Sequence, residues 1–87
     1  MPKYKLLFTR SAIRDIDRLD QVVKKRIGQK LKYFIDSGQP LKFAESLSDS
    51  SMGQFRFRIG DYRVTFDVEE KTILILRIRH CREVYRL

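Results

Sequence analysis

Three arginines near the middle of the chain have the type and spacing to hold an anion. Arg56 and Arg58 alternate with apolar residues in the segment 55–59, and Arg63 follows shortly after the pair at 60–61. A two-residue hairpin loop at 60–61 would place Arg58 opposite Arg63, with all three arginines on the face away from the phenylalanines. Like charges opposite each other destabilise a sheet, and these positions hold no acidic residue, so we expect a bound anion there. The alternative is that the arginines keep an exposed sheet face soluble.

The C-terminal segment HCREVYRL, residues 80–87, adds groups that can move protons. His80 is the only histidine, a residue type that commonly transfers protons in active sites, and Arg82 and Tyr85 follow it closely. Cleavage of RNA by its own 2′-hydroxyl needs a proton acceptor, stabilisation of the phosphate charge and a proton for the leaving oxygen. These residue types could supply all three. Alternatively, His80 is a strand-end histidine bonded to a backbone carbonyl, and Tyr85 is an aromatic residue at the edge of the core.

The sequence offers little for a metal ion or another cofactor. One histidine cannot build a histidine-based metal site, Cys81 is the only cysteine, and no carboxylate cluster suits two-metal phosphoryl chemistry. We therefore expect no metal and no cofactor, and RNA cleavage by this chain would be metal-independent. Cys81 is adjacent to His80, but no Cys-His-Asn pattern surrounds it that would make it a nucleophile.

The basic residues change in kind along the chain. The formal net charge is +8; the first 53 residues carry seven lysines and four arginines, whereas the rest carry seven arginines and one lysine. Because arginine binds phosphate through a planar two-point fork, we expect the second half to bind RNA, with Arg77 and Arg79 among the binding residues. Lys24 and Lys25 lie on the polar face of a predicted helix. We expect them to be solvated, or at most to contact the backbone of a large RNA.

Hydrophobic periodicity predicts the elements that would position these groups. Strict alternation indicates strands, whereas apolar residues three and four positions apart indicate amphipathic helices, for which Thr9 and Asp20 are suitable N-caps. The predicted elements are a strand at 3–8, helices at about 10–19 and 21–37, a connecting loop at 38–53, a hairpin at 54–67 and a strand at 73–80. The order β-α-α-β-β-β predicts an α+β domain with two N-terminal helices packed on one face of a small antiparallel sheet.

Length and composition indicate a single soluble domain. At 87 residues, with 43% apolar and 34% charged residues, the chain fits one domain over 1–87 and is too polar for a membrane protein. The apolar stretch at 6–8 is far shorter than a signal-peptide core or a membrane span, so we expect a cytoplasmic protein outside the membrane. A lone cysteine forms no internal disulfide, so packing must stabilise the fold.

Segments spread over nearly the whole chain are similar to a known family. RFRIGDYRVTF at 56–66 and ILRIRHCREVYR at 75–86, after FTRSAIRDIDRL at 8–19, resemble RelE-type toxins of the RelE/ParE toxin–antitoxin superfamily. The GDYR hairpin and the terminal EVYR are fairly specific as a pair. The resemblance implies two helices against an antiparallel sheet and an acidic RelB-like antitoxin as partner. It also implies cleavage of mRNA in the ribosomal A site, which would inhibit translation.

The resemblance further implies roles for individual residues. Arg56 and Arg58 match the basic pair of the family's second strand. Arg63 matches the arginine of the following strand, and Tyr85 matches the C-terminal tyrosine. The family pair is often lysine, one of which acts as general base, whereas arginine is a poor base because its pKa lies above about 12. This difference shifts the proton-transfer role toward His80.

A second departure concerns the arginine near the C-terminus. Many members of the family have Gly-His-Arg where this chain has Arg79-His80-Cys81. The resemblance therefore implies that Arg82 or Arg79 takes the part of the displaced arginine.

Two classes of function are compatible with this sequence. The leading hypothesis is a ribosome-dependent endoribonuclease that uses the arginines, His80 and Tyr85. The alternative is a ParE-like toxin that inhibits DNA gyrase and cuts nothing, since that branch shares the fold but lacks the nuclease residues. A passive RNA-binding module is a third possibility, and it would need no catalytic residues.

Overall fold

The chain folds into a five-stranded sheet with two main helices. A computed structural model describes residues 3–84, and in that range all side chains except those of residues 50, 83 and 84. The strands are β1 (Lys5–Phe8), β2 (Ala44–Ser46), β3 (Phe55–Ile59), β4 (Tyr62–Glu69) and β5 (Thr72–His80). The helices are α1 (Arg10–Asp17), α2 (Gln21–Asp36) and the short α3 (Cys81–Val84), and 3₁₀ turns lie at Pro40–Phe43 and Ser50–Met52. The strand order in the sheet is β1-β5-β4-β3-β2.

Both main helices begin at the predicted caps. Thr9 Oγ1 and Asp20 Oδ1 each accept a hydrogen bond at 3.1 Å from the backbone N–H three residues further on. Each bond satisfies a donor that has no partner within the first turn of the helix. The helices end at Asp17 and Asp36, close to their predicted ends.

The hairpin of β3 and β4 has the predicted register. Gly60 has a φ of +59° in the two-residue turn, a conformation that glycine adopts at little cost at the first central position of a type II′ turn. Arg58 pairs with Arg63, and Arg56 pairs with Thr65. The predicted alignment of the arginines across this hairpin is therefore confirmed.

The sheet is mixed, whereas the sequence predicts an antiparallel one. β1 pairs in parallel with β5, from Lys5 opposite Thr72 to Phe8 opposite Ile75. A hairpin forces neighbouring strands to be antiparallel, but both helices and three strands lie between β1 and β5 in the chain, so no tight turn sets their relative direction. The predicted loop at 38–53 also contains β2, which pairs with β3 and is too short, at three residues, to show a periodic pattern.

The helices share one core on one face of the sheet, as predicted. Phe57 and Phe66 are fully buried with ring centroids 4.3 Å apart, and the ring of Phe34 in α2 lies 4.6 Å from Phe57. Ala12 of α1 belongs to the same buried cluster. Because side chains alternate along a strand, the neighbours of Phe57 point to the opposite face. Within residues 3–84 no helix is both long and apolar enough to cross a membrane.

Candidate nucleic-acid interface

Three arginines stand side by side across the middle of the sheet. Arg58 of β3 pairs with Arg63 of β4, and Arg63 pairs in turn with Arg79 of β5. Neighbouring strands are about 5 Å apart, so the three side chains leave the sheet in one row on the face away from the core. We name this surface, together with Arg56 and Arg77 of the adjacent row, the arginine face. Its concentrated positive charge favours the binding of an anion.

The adjacent row contains an acidic residue that the sequence does not reveal. Glu45 of β2 pairs with Arg56, and the row continues through Thr65 to Arg77. Arg56 Nε lies 3.1 Å from Glu45 Oε1. The expectation of arginines without an acidic neighbour is therefore wrong for Arg56, because its partner comes from an edge strand that the periodicity of β3 and β4 does not indicate.

Glu45 is ionised at neutral pH. A hydrogen bond from Arg56 and the charge of that arginine, supported by the charges of Arg58 and Arg63, hold the pKa of Glu45 below its usual value. The Glu45 side chain is 51% exposed, so its carboxylate is accessible from solvent. An accessible carboxylate among arginines can accept a hydrogen bond or a proton from a bound ligand.

A cavity of about 400 Å³ opens on the arginine face. Arg63, which is only 5% exposed, lines it with Arg77 and Arg79, whereas Arg58 is exposed to solvent. The other lining residues are polar or apolar but uncharged: Thr9, Ser11, Ser51, Met52, Thr65 and Leu76. A cavity of this size can hold a small ligand. Cations, hydroxyl groups and apolar side chains are the groups that contact the phosphate, sugar and base of a nucleotide.

Gly53 brings the 3₁₀ turn at Ser50–Met52 close to the sheet. Its φ is +116°, and a Cβ at this position would lie 2.9 Å from Leu76 Cδ1 and 3.3 Å from the carbonyl oxygen of Phe66. A larger residue would have to displace the sheet or the turn. The close approach therefore keeps this turn in the wall of the cavity.

A buried carboxylate from α1 holds the arginine at the edge of the cavity. Asp15 Oδ2 accepts a hydrogen bond from Arg77 Nε at 2.9 Å, and Asp15 Oδ1 accepts one from Arg77 Nη2 at 3.2 Å. Asp15 Oδ2 also accepts the backbone N–H of Ile78 at 2.9 Å. Burial acts to raise the pKa of Asp15, but these hydrogen bonds and the charges of Arg77 and Arg79 outweigh it and lower that pKa.

His80 lies on the other face of the sheet. It pairs with Tyr62, whose ring meets the imidazole edge to face with centroids 5.1 Å apart, and His80 Nδ1 accepts the backbone N–H of Arg82 at 3.1 Å. His80 therefore points away from the row of Arg58, Arg63 and Arg79 and does not line the cavity with Arg63, although it lines a second cavity of about 320 Å³ with Arg77 and Arg79. A β-bulge is the reason: Phe66 pairs with residue 75 and the preceding Thr65 with residue 77, which reverses the alternation of the rest of β5.

The remaining candidates also separate from the arginine face. Lys24 and Lys25 are on α2, which packs on the core side of the sheet, so they do not join the cavity-lining arginines. Arg82 is exposed at the start of α3. Tyr85 lies outside the described residues. Among the residues that the structure describes, no group of three or more histidines, cysteines or carboxylates could hold a metal ion.

The sequence reasoning misses two carboxylates, Asp15 and Glu45. Asp15 does leave a signal, because it lies three positions after the buried Ala12 and four before the partly buried Leu19, within the apolar stripe of its helix. An acidic residue in such a stripe needs a buried partner. Glu45 leaves no comparable signal, since it stands in a predicted loop.

Comparisons of the sequence with known proteins identify the family of this chain. The family described as "ParE toxin of type II toxin-antitoxin system, parDE" matches residues 6–85. The toxin RelG of Mycobacterium tuberculosis is 31% identical over 85 residues, which cover 95% of this chain and 97% of the relative.

Solved structures give the same result. The RelBE2 toxin–antitoxin complex of Mycobacterium tuberculosis contains a chain with a TM-score of 0.71 and 27% identity, covering 91% of this chain and 99% of that one. The archaeal RelE–RelB complex of Pyrococcus horikoshii OT3 matches at a TM-score of 0.70 and 23% identity, over 91% of this chain and 96% of that chain, and supports the fold alone. The chain therefore belongs to the ParE toxin family and is the RelE-like toxin component of a type II toxin–antitoxin system.

Proposed function

We propose that this toxin is a RelE-like endoribonuclease that cleaves mRNA on the ribosome and thereby inhibits translation. One observation carries the proposal: Arg58, Arg63 and Arg79 stand in register across three strands beside a cavity of about 400 Å³. Arginines that were all exposed on a flat sheet face would only keep the protein soluble. An arginine that is 5% exposed, at the wall of a cavity and between two others, suits the tight binding of one phosphate group.

In this proposal the row of arginines binds the scissile phosphate. The phosphate gains negative charge as the 2′-hydroxyl attacks, and arginine stabilises that charge without titrating at neutral pH. Arg63 is enclosed, so its guanidinium acts in a region of low dielectric, where electrostatic interactions are stronger than in water. Arg58 and Arg79 flank it on the two neighbouring strands.

Glu45 is the proposed proton acceptor in place of His80. Its carboxylate lies on the arginine face and is ionised at neutral pH, so it can accept the proton of the attacking 2′-hydroxyl. Its lowered pKa makes it a weak base, so its proposed contribution comes from its position beside the arginines. The 2′-oxygen then forms a bond to phosphorus, and the bond to the 5′-oxygen breaks, leaving a 2′,3′-cyclic phosphate. Tyr85, implied by the family resemblance, would give its phenolic proton to that 5′-oxygen, since tyrosine is protonated at neutral pH.

The proposed partners are an acidic RelB-like antitoxin, mRNA and the ribosome, all in the cytoplasm. The antitoxin is supported by the RelBE2 relative of Mycobacterium tuberculosis, which is a toxin–antitoxin complex. The net charge of +8 suits both an acidic protein and the phosphates of RNA. An acidic antitoxin segment across the arginine face would neutralise it and block the entry of RNA.

The direct test is primer extension on mRNA in a translating extract that contains the purified toxin. We expect new 5′ ends with the wild type and a loss of about 100-fold in cleavage rate for Arg79→Ala, because one charge-stabilising donor is removed. Lys30→Ala is the matched control, since it removes an exposed cation from α2 that has no proposed contact with RNA and should leave cleavage unchanged. Intact mRNA together with inhibition of gyrase supercoiling would refute the nuclease in favour of the ParE-like alternative.

A second measurement separates a nuclease from a passive RNA-binding module. If the chain only binds RNA, Tyr85→Phe and Glu45→Gln will change neither toxicity nor the integrity of the message. If it is the proposed nuclease, both substitutions will lower cleavage without weakening the binding of RNA, because the row of Arg58, Arg63 and Arg79 is intact.

A further inference from the structure

We infer that Asp15 is a positioning residue of the arginine face, which fixes the guanidinium of Arg77 at the wall of the cavity and balances its charge. The inference rests on the proposed RNA cleavage and adds to it a residue that does not touch the substrate. Asp15 would act on RNA only through Arg77.

The position of Asp15 follows from an interruption at the edge of the sheet. β1 pairs with β5 only as far as Phe8 opposite Ile75, and α1 then runs beside the remainder of β5. Asp15 Oδ2 accepts the backbone N–H of Ile78 at 2.9 Å, where an additional strand residue would otherwise provide the acceptor. The carboxylate is thereby fixed to the backbone and is only 8% exposed.

Asp15 also accepts two hydrogen bonds from the guanidinium of Arg77. The Nε–Oδ2 and Nη2–Oδ1 distances of 2.9 and 3.2 Å describe a fork in which the carboxylate fixes the plane of the guanidinium. The Arg77 side chain is 40% exposed, so it is anchored on one side and accessible on the other. An arginine that is already ordered loses little conformational entropy when RNA binds, so its hydrogen bonds contribute more to binding and catalysis.

The charge of the pair distinguishes Arg77 from its neighbours. The carboxylate of Asp15 stays ionised at neutral pH, so the pair adds no net charge to the arginine face. The row of Arg58, Arg63 and Arg79 then provides the long-range attraction of RNA, whereas Arg77 contributes directed hydrogen bonds. If Asp15 served only to bind the N–H of Ile78, its role would be structural. The structural role and the positioning role through Arg77 predict different effects of substitution on cleavage.

A double-mutant cycle of Asp15→Asn and Arg77→Gln separates these roles. Asp15→Asn keeps an acceptor for Ile78 N–H but removes the negative charge that opposes Arg77 and one of the two oxygens of the fork. We expect kcat for mRNA cleavage to fall about tenfold while KM stays the same or decreases, because the phosphate is attracted more strongly but oriented less well. In the Arg77→Gln background Asp15→Asn should lower kcat no further. If Asp15→Asn lowered kcat equally in the wild type and in the Arg77→Gln background, the positioning role would be overturned.

The salt dependence of RNA binding provides a readout that does not need cleavage. Binding of a fluorescently labelled single-stranded RNA should become more salt-dependent in Asp15→Asn, with the log–log slope steeper by up to about 0.7, since one more cation can displace a counterion. That increase in slope should be absent in the Arg77→Gln background. Asp17→Asn is the matched control, because it removes the same charge from an exposed position of the same helix and should leave kcat unchanged.

These measurements keep the two proposals apart. If Asp15→Asn steepens the salt dependence of RNA binding only when Arg77 is present, but the wild type leaves mRNA intact, the nuclease is refuted and the positioning role is retained. Cleavage without coupling refutes only the positioning role, and a chain that neither binds nor cuts RNA refutes both. If Asp15→Asn does not fold, Arg77→Lys keeps the charge but lacks the fork, and wild-type cleavage by that variant would overturn the inference.

Discussion

The two faces of the sheet are built from the same strands and differ in almost every physical property. Along β3, Phe57 is fully buried between aromatic rings, whereas the next residue, Arg58, is exposed beside other arginines. One face supplies the burial that stabilises the fold, and the other concentrates charge at a cost in stability. Because of this difference, we expect that substitutions of adjacent residues can alter the stability of the fold and the proposed cleavage of RNA separately.

The largest expected effect is on the free energy of unfolding, and it distinguishes the two faces at the consecutive residues Phe57 and Arg58. Phe57→Ala should lower the free energy of unfolding by about 3–5 kcal/mol, because it removes a ring in contact with Phe34 and Phe66 and leaves a cavity. Arg58→Ala should change it by less than about 1 kcal/mol. Urea unfolding of both variants measures this, and similar losses would show that the two faces are not separable.

The second prediction compares proton-transfer candidates on opposite faces. Glu45→Gln should slow cleavage of mRNA by about 100-fold, because the neutral amide cannot accept a proton from the 2′-hydroxyl. His80→Asn, which keeps an acceptor for the N–H of Arg82, should remain within about threefold of the wild type. Primer extension at matched toxin concentration gives both rates. A larger loss for His80→Asn than for Glu45→Gln would place the chemistry on the other face.

The smallest expected effect concerns acid stability at the junction of the two faces. The pKa of Asp15 is lowered in the folded chain, so the unfolded chain takes up this proton at a higher pH. Asp15 therefore stabilises the fold fully above its unfolded pKa, and the contribution is lost as the pH falls through its folded pKa. The advantage of the wild type over Asp15→Asn in urea unfolding should decrease between about pH 5 and pH 2. A constant difference over that range would contradict the lowered pKa.

Much of the fold follows from local patterns. The caps at Thr9 and Asp20 and the turn at Gly60 depend on residues a few positions apart, so they can be predicted without knowledge of distant contacts. The direction of β1 and the existence of β2 could not be predicted, because their partners are far away in the chain. The same limit applies to the site, where Asp15 and Arg77 are 62 positions apart.

The sequence by itself determined that Arg56, Arg58 and Arg63 share one face, because alternation along a strand and across a two-residue turn is a local property of the backbone. Only the tertiary structure decided what surrounds them. The bulge in the pairing of β4 with β5 turns Arg79 toward Arg63 and turns His80 away. A bulge reverses the alternation for all the residues that follow it, and it is set by packing between strands rather than by the residues of one strand alone.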